Sequence, residues 1–518
     1  MNEGVQPAPR IMRIVILGGG TAGWMTAAGL RRQLKPEHYS ITLIESDEIG
    51  TVGVGEATLP HIKLFNDALG LNEAEFMRAT HATFKLGIQF RDWGQPGESY
   101  MHPFGAFGEP WRGVEFQHQW LKAGLMGADP GPLQDYSYAI AAARGNAFEF
   151  PNGDPKSIRS TYAYAYHFDA GLYASHLRAW ALPRGVARIE GQVLQVKRHP
   201  QGGEINALLL KSGELVTGDL FVDCSGFRSL LLGQTLGVGW EDWNQWLSCD
   251  RALAVPSRRV EPMTPYTRAT ACEAGWCWRI PLQHRTGNGY VFSSRFTDEE
   301  TARRTVLAGL DAEPLAEPRL LKFLPGRRRI AWSQNCVAIG LASGFLEPLE
   351  STSIFLVQAA VADLIRLLPD PGCPATDSRL AKEFNRLNEL QYERVRDFLV
   401  LHYFANARHG QPLWDYARAM QIPDSLQHKL DLFRSRAALP SYQYGLFSRD
   451  SWLSVLMGQG VKPRAYERLA DTLTESALTE RLQSLRQRIA ANAARMSPHS
   501  DFVAGYCESR HLAQESAT

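Results

Sequence analysis

Arg13-Ile14-Val15-Ile16-Leu17-Gly18-Gly19-Gly20-Thr21-Ala22-Gly23 is the stretch that decides the fold. A five-residue run with the character of a buried strand passes straight into a glycine loop, and a helix-favouring segment follows to about Leu34. Ile41-Thr42-Leu43-Ile44-Glu45 then reads as a second, parallel strand. Such a βαβ unit needs a sheet covered on both faces, so the fold class is α/β, with a Rossmann-type module. In the GxGxxG spacing Gly18 permits the tight turn, Gly20 lets the backbone approach a diphosphate, and Gly23 lets helix and strand pack closely. Thr21 and Ala22 open the helix, whose free N–H groups and positive dipole end face the phosphates. Glu45 can accept from both ribose hydroxyls. A glycine loop alone is only a tight turn, but flanked by strand, helix and acid it predicts an adenine dinucleotide lacking a 2′-phosphate, FAD or NAD.

Outward from this unit, 518 residues exceed what one hydrophobic core can organise, which predicts at least two packed modules, not necessarily consecutive. Residues 1–10 read as a disordered lead, 11–365 as the dinucleotide-binding module with inserted substrate-contacting segments, 366–508 as a mainly helical substrate module, and 509–518 as a tail. Gly191 to Asp223 alternates apolar and polar residues with turn signals and predicts a β-meander. Ser353 to Leu368, Asp377 to about Arg408 and Pro463 to about Arg495 carry helical periodicity. With 55 basic against 54 acidic residues and no long run of either sign, neither nucleic acid nor an anionic membrane surface is an expected partner. No apolar stretch reaches the length of a membrane span. The seven cysteines are scattered without CxxC spacing, so no disulfide framework and no metal site is expected. Glycines interrupt the apolar stretch from Ile11 to Leu30, which argues against a signal peptide and for a cytoplasmic location.

Further motifs give the chemistry. Trp276-Cys277-Trp278-Arg279-Ile280-Pro281 would alone be a pair of core aromatics. Thr51 to Thr58 is glycine-rich beyond the needs of a turn, and Val222-Asp223-Cys224-Ser225-Gly226-Phe227 ends a strand on a glycine. Ser343 to Ser353, reading SGFLEPLESTS, runs into an apolar helix. With WxWxIP behind GxGxxG, the chain resembles the flavin-dependent halogenases, the tryptophan and indole halogenase family, from about residue 12 to residue 508. The resemblance implies the flavoprotein monooxygenase kind of module and selects FAD. It adds Val54, Gly55, Ala57, Asp223, Gly226, Leu349 and Ser353 to the cofactor-binding residues. No second nucleotide fingerprint is present, so FADH2 would come from a separate flavin reductase, with halide ion and O2 as co-substrates.

Ser351, Thr352 and Ser353 stand at the start of the helix and are expected to cap it, while the same free N–H groups form an anion site. The resemblance implies that Thr352 and Ser353 donate backbone N–H groups to halide, although the family usually carries glycine at the position of Ser353. Phe84, Leu86, Ile88 and Phe90 alternate with Lys85, Gly87 and Gln89, so one strand would put the apolar side chains on one face and Lys85 on the other. A lysine there is ordinarily solvated, and Glu350 before a helix is ordinarily a dipole partner. The resemblance instead implies that both are catalytic. Hypohalous acid would travel through a tunnel to Lys85, which hydrogen-bonds it or forms a haloamine, while Glu350 polarises the reagent or takes the ring proton. Trp276 and Trp278 would separate flavin from substrate.

His102-Pro103-Phe104 matches the family segment whose histidine and phenylalanine sandwich an indole. Tyr444 and Trp452 are the corresponding substrate residues of the lid. Between Ser441 and Leu456 the lid looks shortened, which favours an open indole site over one that grips free tryptophan. Three other readings are a free-tryptophan halogenase, a single-component flavin aromatic hydroxylase and a degenerate FAD-binding protein. The sequence leaves the oligomeric state open, a homodimer included.

Overall fold

The computed structural model describes residues 11–48, 55–371, 373–442 and 444–515, with side chains followed to Cys507. Met12–Leu17 lies inside a six-stranded sheet, parallel to Tyr39–Glu45 on one side and to Leu220–Asp223 on the other. Val186–Glu190 extends the first side, and Cys336–Ala338 with Trp332–Ser333 the second. Ile14 and Ile16 pack with Trp24, Met25 and Ala28 of helix Thr21–Gln33, whereas Val15 and Leu17 pack with Ile205, Leu208 and Leu210. Both faces are therefore covered, which is why the strand is almost wholly apolar.

Val193–Arg198, Ile205–Leu210 and Leu215–Thr217 form the expected antiparallel meander. It ends earlier than predicted, because Leu220–Asp223 crosses into the parallel sheet beside the glycine-loop strand. A seven-stranded sheet carries Arg319–Lys322, Arg251–Ser257, Thr286–Phe292, Gly275–Pro281, Thr267–Cys272, Gly87–Arg91 and Ser99–Pro103 in that spatial order. Gly55–Ala57, Ala165–Asp169 and Thr83–Lys85 make a small third sheet.

Helix Ser353–Arg366 packs against Thr21–Gln33, and helices Ser378–Phe404, Asp424–Arg436, Arg449–Gly458 and Glu475–Ala493 follow. The last begins later than its periodicity predicts, since Pro463 to Thr474 is loop with one 3-10 turn at Arg468–Thr472. One continuous hydrophobic core runs from Met12 to Cys507, so these helices share it with the glycine-loop half. Among the described residues no helix is long and apolar enough to cross a membrane.

Candidate active site

At the glycine loop Leu17 pairs with both Ile44 and Asp223, and the chain must then turn without a side chain. Gly18 has φ +115°, and a Cβ there would fall 2.2 Å from the Cys224 carbonyl oxygen. A Cβ on Gly23 would fall 1.8 Å from the Gly18 carbonyl oxygen, so the helix can approach the strand only because the position is glycine. Among the described residues no side chain caps helix Thr21–Gln33, which leaves its first N–H groups for a ligand. Beyond the loop opens a cavity of about 940 Å³, lined by Gly18, Gly20, Thr21, Ala22, Glu45, Gly55, Ala57, Gly226, Leu349, Ser353, Trp276 and Trp278. The Glu45 carboxylate is fixed at its edge by Arg188 Nε at 2.5 Å and Trp24 Nε1 at 3.1 Å. This glycine cradle, open helix end and strand-terminal acid fit a flavin adenine dinucleotide.

Two predicted cofactor residues stand behind the wall. Gly23 is packed against the loop, and Asp223 is fully buried, accepting from Leu231 N and Leu232 N at 2.8 Å each. Asp223 thus anchors the segment after the second loop and does not reach the cavity. Val54 lies outside the described residues. Arg178, Gln192 and Lys211, which no motif flagged, line the same cavity from helix Ala170–Ala181 and the meander region. Their only sequence signal is polarity beside apolar neighbours.

Lys85 departs from its expected setting. The strand breaks at Leu86: Lys85 pairs with Ala165 in the small sheet, whereas Gly87–Arg91 pairs with Thr267–Cys272 and Ser99–Pro103 in the large one. Lys85 therefore lies in the small sheet, apart from Gly87 and Gln89, and is wholly inaccessible. Its Nζ donates to Thr58 O at 2.9 Å and to Ser351 Oγ at 2.8 Å, and sits 5.0 Å from the centre of the Phe104 ring. Burial lowers the amine to about 7, against the opposing pull of Glu350. A neutral amine has two N–H groups, so both acceptors are served and the lone pair is uncommitted. Ser351 also lines the flavin cavity, and so joins it to Lys85.

Glu350 ends the 3-10 turn Pro348–Glu350 and is fully buried. His102 Nδ1 lies 2.8 Å from Oε2, and His402 Nε2 lies 2.9 Å from Oε1 but off the line of a hydrogen bond. Burial opposes ionisation of this carboxyl, yet the charge and hydrogen bond of His102, joined by His402, hold it down at about 2. His402 was not foreseen. Its signal is slight: it falls at helical spacing from Val395 and Phe398 on a buried stripe, where a histidine usually reads as core. Glu347, three residues before Glu350, accepts from Tyr403 Oη at 2.9 Å, and Trp276 Nε1 is 3.5 Å from the same carboxyl oxygen.

The substrate residues divide. His102 and Phe104 meet edge to face, with centroids 6.3 Å apart and planes at 83°, which leaves no parallel slot between them for an indole. Trp452 is buried, with Phe398 at 4.9 Å and Lys429 Nζ 3.6 Å above its ring, and Phe398 also meets His102. Tyr444 stands apart: it is exposed, and its ring faces Arg386, about four helical turns along Ser378–Phe404 from His402. The structure does not bring it to the site.

The expected side-chain cap is also missing. Thr352 takes the N-cap position of Ser353–Arg366 with helical dihedrals, and its Oγ1 has no partner among the described atoms. Ser351 adopts a left-handed φ of +59° that sends its hydroxyl to Lys85. The first-turn N–H groups are thus left without a side-chain acceptor.

The family model described as tryptophan halogenase matches residues 13–475. Tryptophan 6-halogenase SttH of Streptomyces toxytricini is 37% identical over 496 residues, covering 89% of this chain and 92% of that protein. Tryptophan 7-halogenase RebH of Lentzea aerocolonigenes is 34% identical over 492 residues, covering 88% and 91%. Among solved structures, BrvH, a flavin-dependent halogenase from Brevundimonas sp. BAL3, superposes with a TM-score of 0.92 at 45% identity, covering 96% of this chain and 99% of that one.

Proposed function

The chain belongs to the tryptophan halogenase family of flavin-dependent enzymes, and from that premise we propose that it halogenates an indole-type ring with halogen delivered by Lys85. The observation that carries this reading is the buried Lys85 amine, bonded to Ser351 of the flavin cavity on one side and 5.0 Å from Phe104 of the aromatic cluster on the other. FAD would be held by the glycine loop, Glu45, Gly55, Ala57, Gly226, Leu349 and Ser353. Reduced by a separate flavin reductase, it supplies the oxygen activation that converts halide to hypohalous acid. Thr352 and Ser353 offer first-turn N–H groups to the halide, and the spare Thr352 hydroxyl suits the same ion.

At Lys85 the neutral amine attacks the halogen of the acid: an N–X bond forms, the O–X bond breaks, and hydroxide leaves with an amine proton as water. The ring then attacks the halogen, and the N–X electron pair returns to nitrogen. Glu350 takes the ring proton and passes it on to the nitrogen, which restores the amine. Trp276 and Trp278 keep ring and flavin apart.

The pH dependence follows from the sign of the lysine shift. Burial favours the neutral form, so the proton leaves at about 7 and not at the ordinary 10.5. Ring halogenation is therefore expected to climb tenfold per pH unit below that value and to level off above it. Single-turnover product formation, followed beside oxidant formation, measures this. A flat profile would mean that Lys85 acts as a charged hydrogen-bond donor.

The test of the reaction itself combines the protein with a flavin reductase, FAD, O2, chloride or bromide, and a panel holding indole, substituted indoles and tryptophan. Halogen isotope patterns should appear in product masses only when every component is present. Hydroxylated products without halogen, or NADPH oxidation by the protein alone, would instead favour the single-component hydroxylase. Because Tyr444 is exposed, it offers no buried polar partner to an amino-acid tail, and indole should equal or exceed tryptophan in kcat/KM. Preference for tryptophan by several orders of magnitude would require committed polar groups elsewhere.

A further inference from the structure

His402 and an ionised Glu350 meet at a contact that a neutral imidazole leaves without a hydrogen. His402 Nδ1 lies 2.8 Å from the Phe398 carbonyl oxygen, which can only accept, so Nδ1 carries a proton. In a neutral imidazole Nε2 is then a bare lone pair. It faces Glu350 Oε1 at 2.9 Å, and neither atom has another partner among the described residues. With Glu350 ionised, two acceptors so placed in a site closed to water would repel and remain unsatisfied. Oε2 is meanwhile occupied by His102 Nδ1.

We propose that His402 is a positioning residue for Glu350: doubly protonated, it holds the carboxylate ionised and fixed beside Lys85 as a buried ion pair. The surroundings suit this. Phe90, Trp93 and Phe398 surround the ring at 4.8–5.9 Å, excluding water that could otherwise solvate either charge. The remaining polar groups facing the pair are Lys85, His102 and Tyr100, whose hydroxyl accepts from Gln459; Gln459 also donates to the His402 carbonyl oxygen. None of these supplies Oε1 with a proton. The catalytic consequence rests on the halogenase reading, since a carboxylate already committed to a cation stays available to take a ring proton without first losing its own. The protonation state itself does not depend on that reading.

Protein labelled with 15N-histidine tests the proposal directly, His402 being assigned by the resonance lost in His402→Gln. At neutral pH and without substrate, wild-type His402 should show both ring nitrogens protonated, and Glu350→Gln should remove the Nε2 proton while the Nδ1 proton remains. A singly protonated His402 in the wild type, or a doubly protonated one unchanged in Glu350→Gln, overturns it. In turnover, His402→Gln keeps a donor near Oε1 but no charge. Ring halogenation should fall by about tenfold or more in kcat with KM little changed, while halide-dependent oxidant formation stays at the wild-type rate. An equal fall in both rates would show general damage and overturn the positioning role. Absence of any halogenated product from the wild type would instead defeat the proposed function and leave the resonance test standing.

Discussion

Lys85→Met is expected to bind FAD and form hypohalous acid at the wild-type rate, yet to halogenate the ring at least about a hundredfold more slowly. Methionine suits the test because Lys85 is wholly buried, and its unbranched stem fills the same gap where alanine would leave a cavity. What disappears is the nitrogen that meets Thr58 O and Ser351 Oγ. The lost hydrogen bonds cost about 1–3 kcal/mol of stability, which a thermal melt separates from the kinetic loss. Oxidant is scored with a soluble halogen acceptor and ring product by mass. Near-normal ring halogenation would show that Lys85 is a structural lysine, and equal loss of both products would place its effect on the flavin side.

Gly18→Ala should reduce FAD affinity by about a hundredfold or more. The backbone there has φ +115°, which costs a residue with a Cβ about 1–3 kcal/mol. The added methyl would also meet main-chain atoms of Cys224 at 2.2 and 2.7 Å, and these belong to the exit of a paired strand that cannot retreat. About 3 kcal/mol taken from the bound state corresponds to roughly two powers of ten in Kd. Gly70→Ala is the matching control: φ is +74° but no described atom lies within 4 Å, so it should cost about 1 kcal/mol of stability and no flavin affinity. Titration with FAD by fluorescence, with circular dichroism to check folding, decides the point. Wild-type affinity in Gly18→Ala would mean that the loop rearranges and that the turn is not the fixed element described above.

The parts of this molecule governed by local pattern were legible in the sequence. The glycine loop, its strand and helix, Glu45 at the second strand end, and the helix beginning near Ser353 all depend on contacts within a few dozen residues, and each lies where its pattern predicts. Lys85 was half legible. Alternation set Lys85 apart from Phe84, but the single strand it predicted is two, and only the change of partner at Leu86 reveals that Lys85 is buried, since sheet assignment is a long-range property. Asp223 illustrates a different limit, because a polar residue at a strand end can serve a ligand or an adjoining backbone, and here the N–H groups of Leu231 and Leu232 claim it. His402 was illegible for a third reason. Its partner is 52 positions away on a turn, and nothing in a helical stripe of apolar residues announces that one member meets a carboxylate. Tyr444 failed because lid residues are placed by loop conformation, which short motifs do not encode.

The break at Leu86 gives the molecule a form of evolutionary independence. Residue 85 belongs to the small sheet beside the flavin cavity, and residue 87 onward to the sheet that supplies His102. The strands that carry Trp276 and Trp278 reach the flavin cavity from the same large sheet, so it is substitutions in the aromatic cluster around His102, away from those strands, that are expected to change which molecule is accepted with little effect on oxidant formation. Divergence within such a lineage should therefore accumulate in the aromatic cluster and lid. A laboratory lineage selected for new acceptors would be expected to leave the glycine loop, Lys85 and Ser351 unaltered while Phe104, Phe447 and Trp452 change.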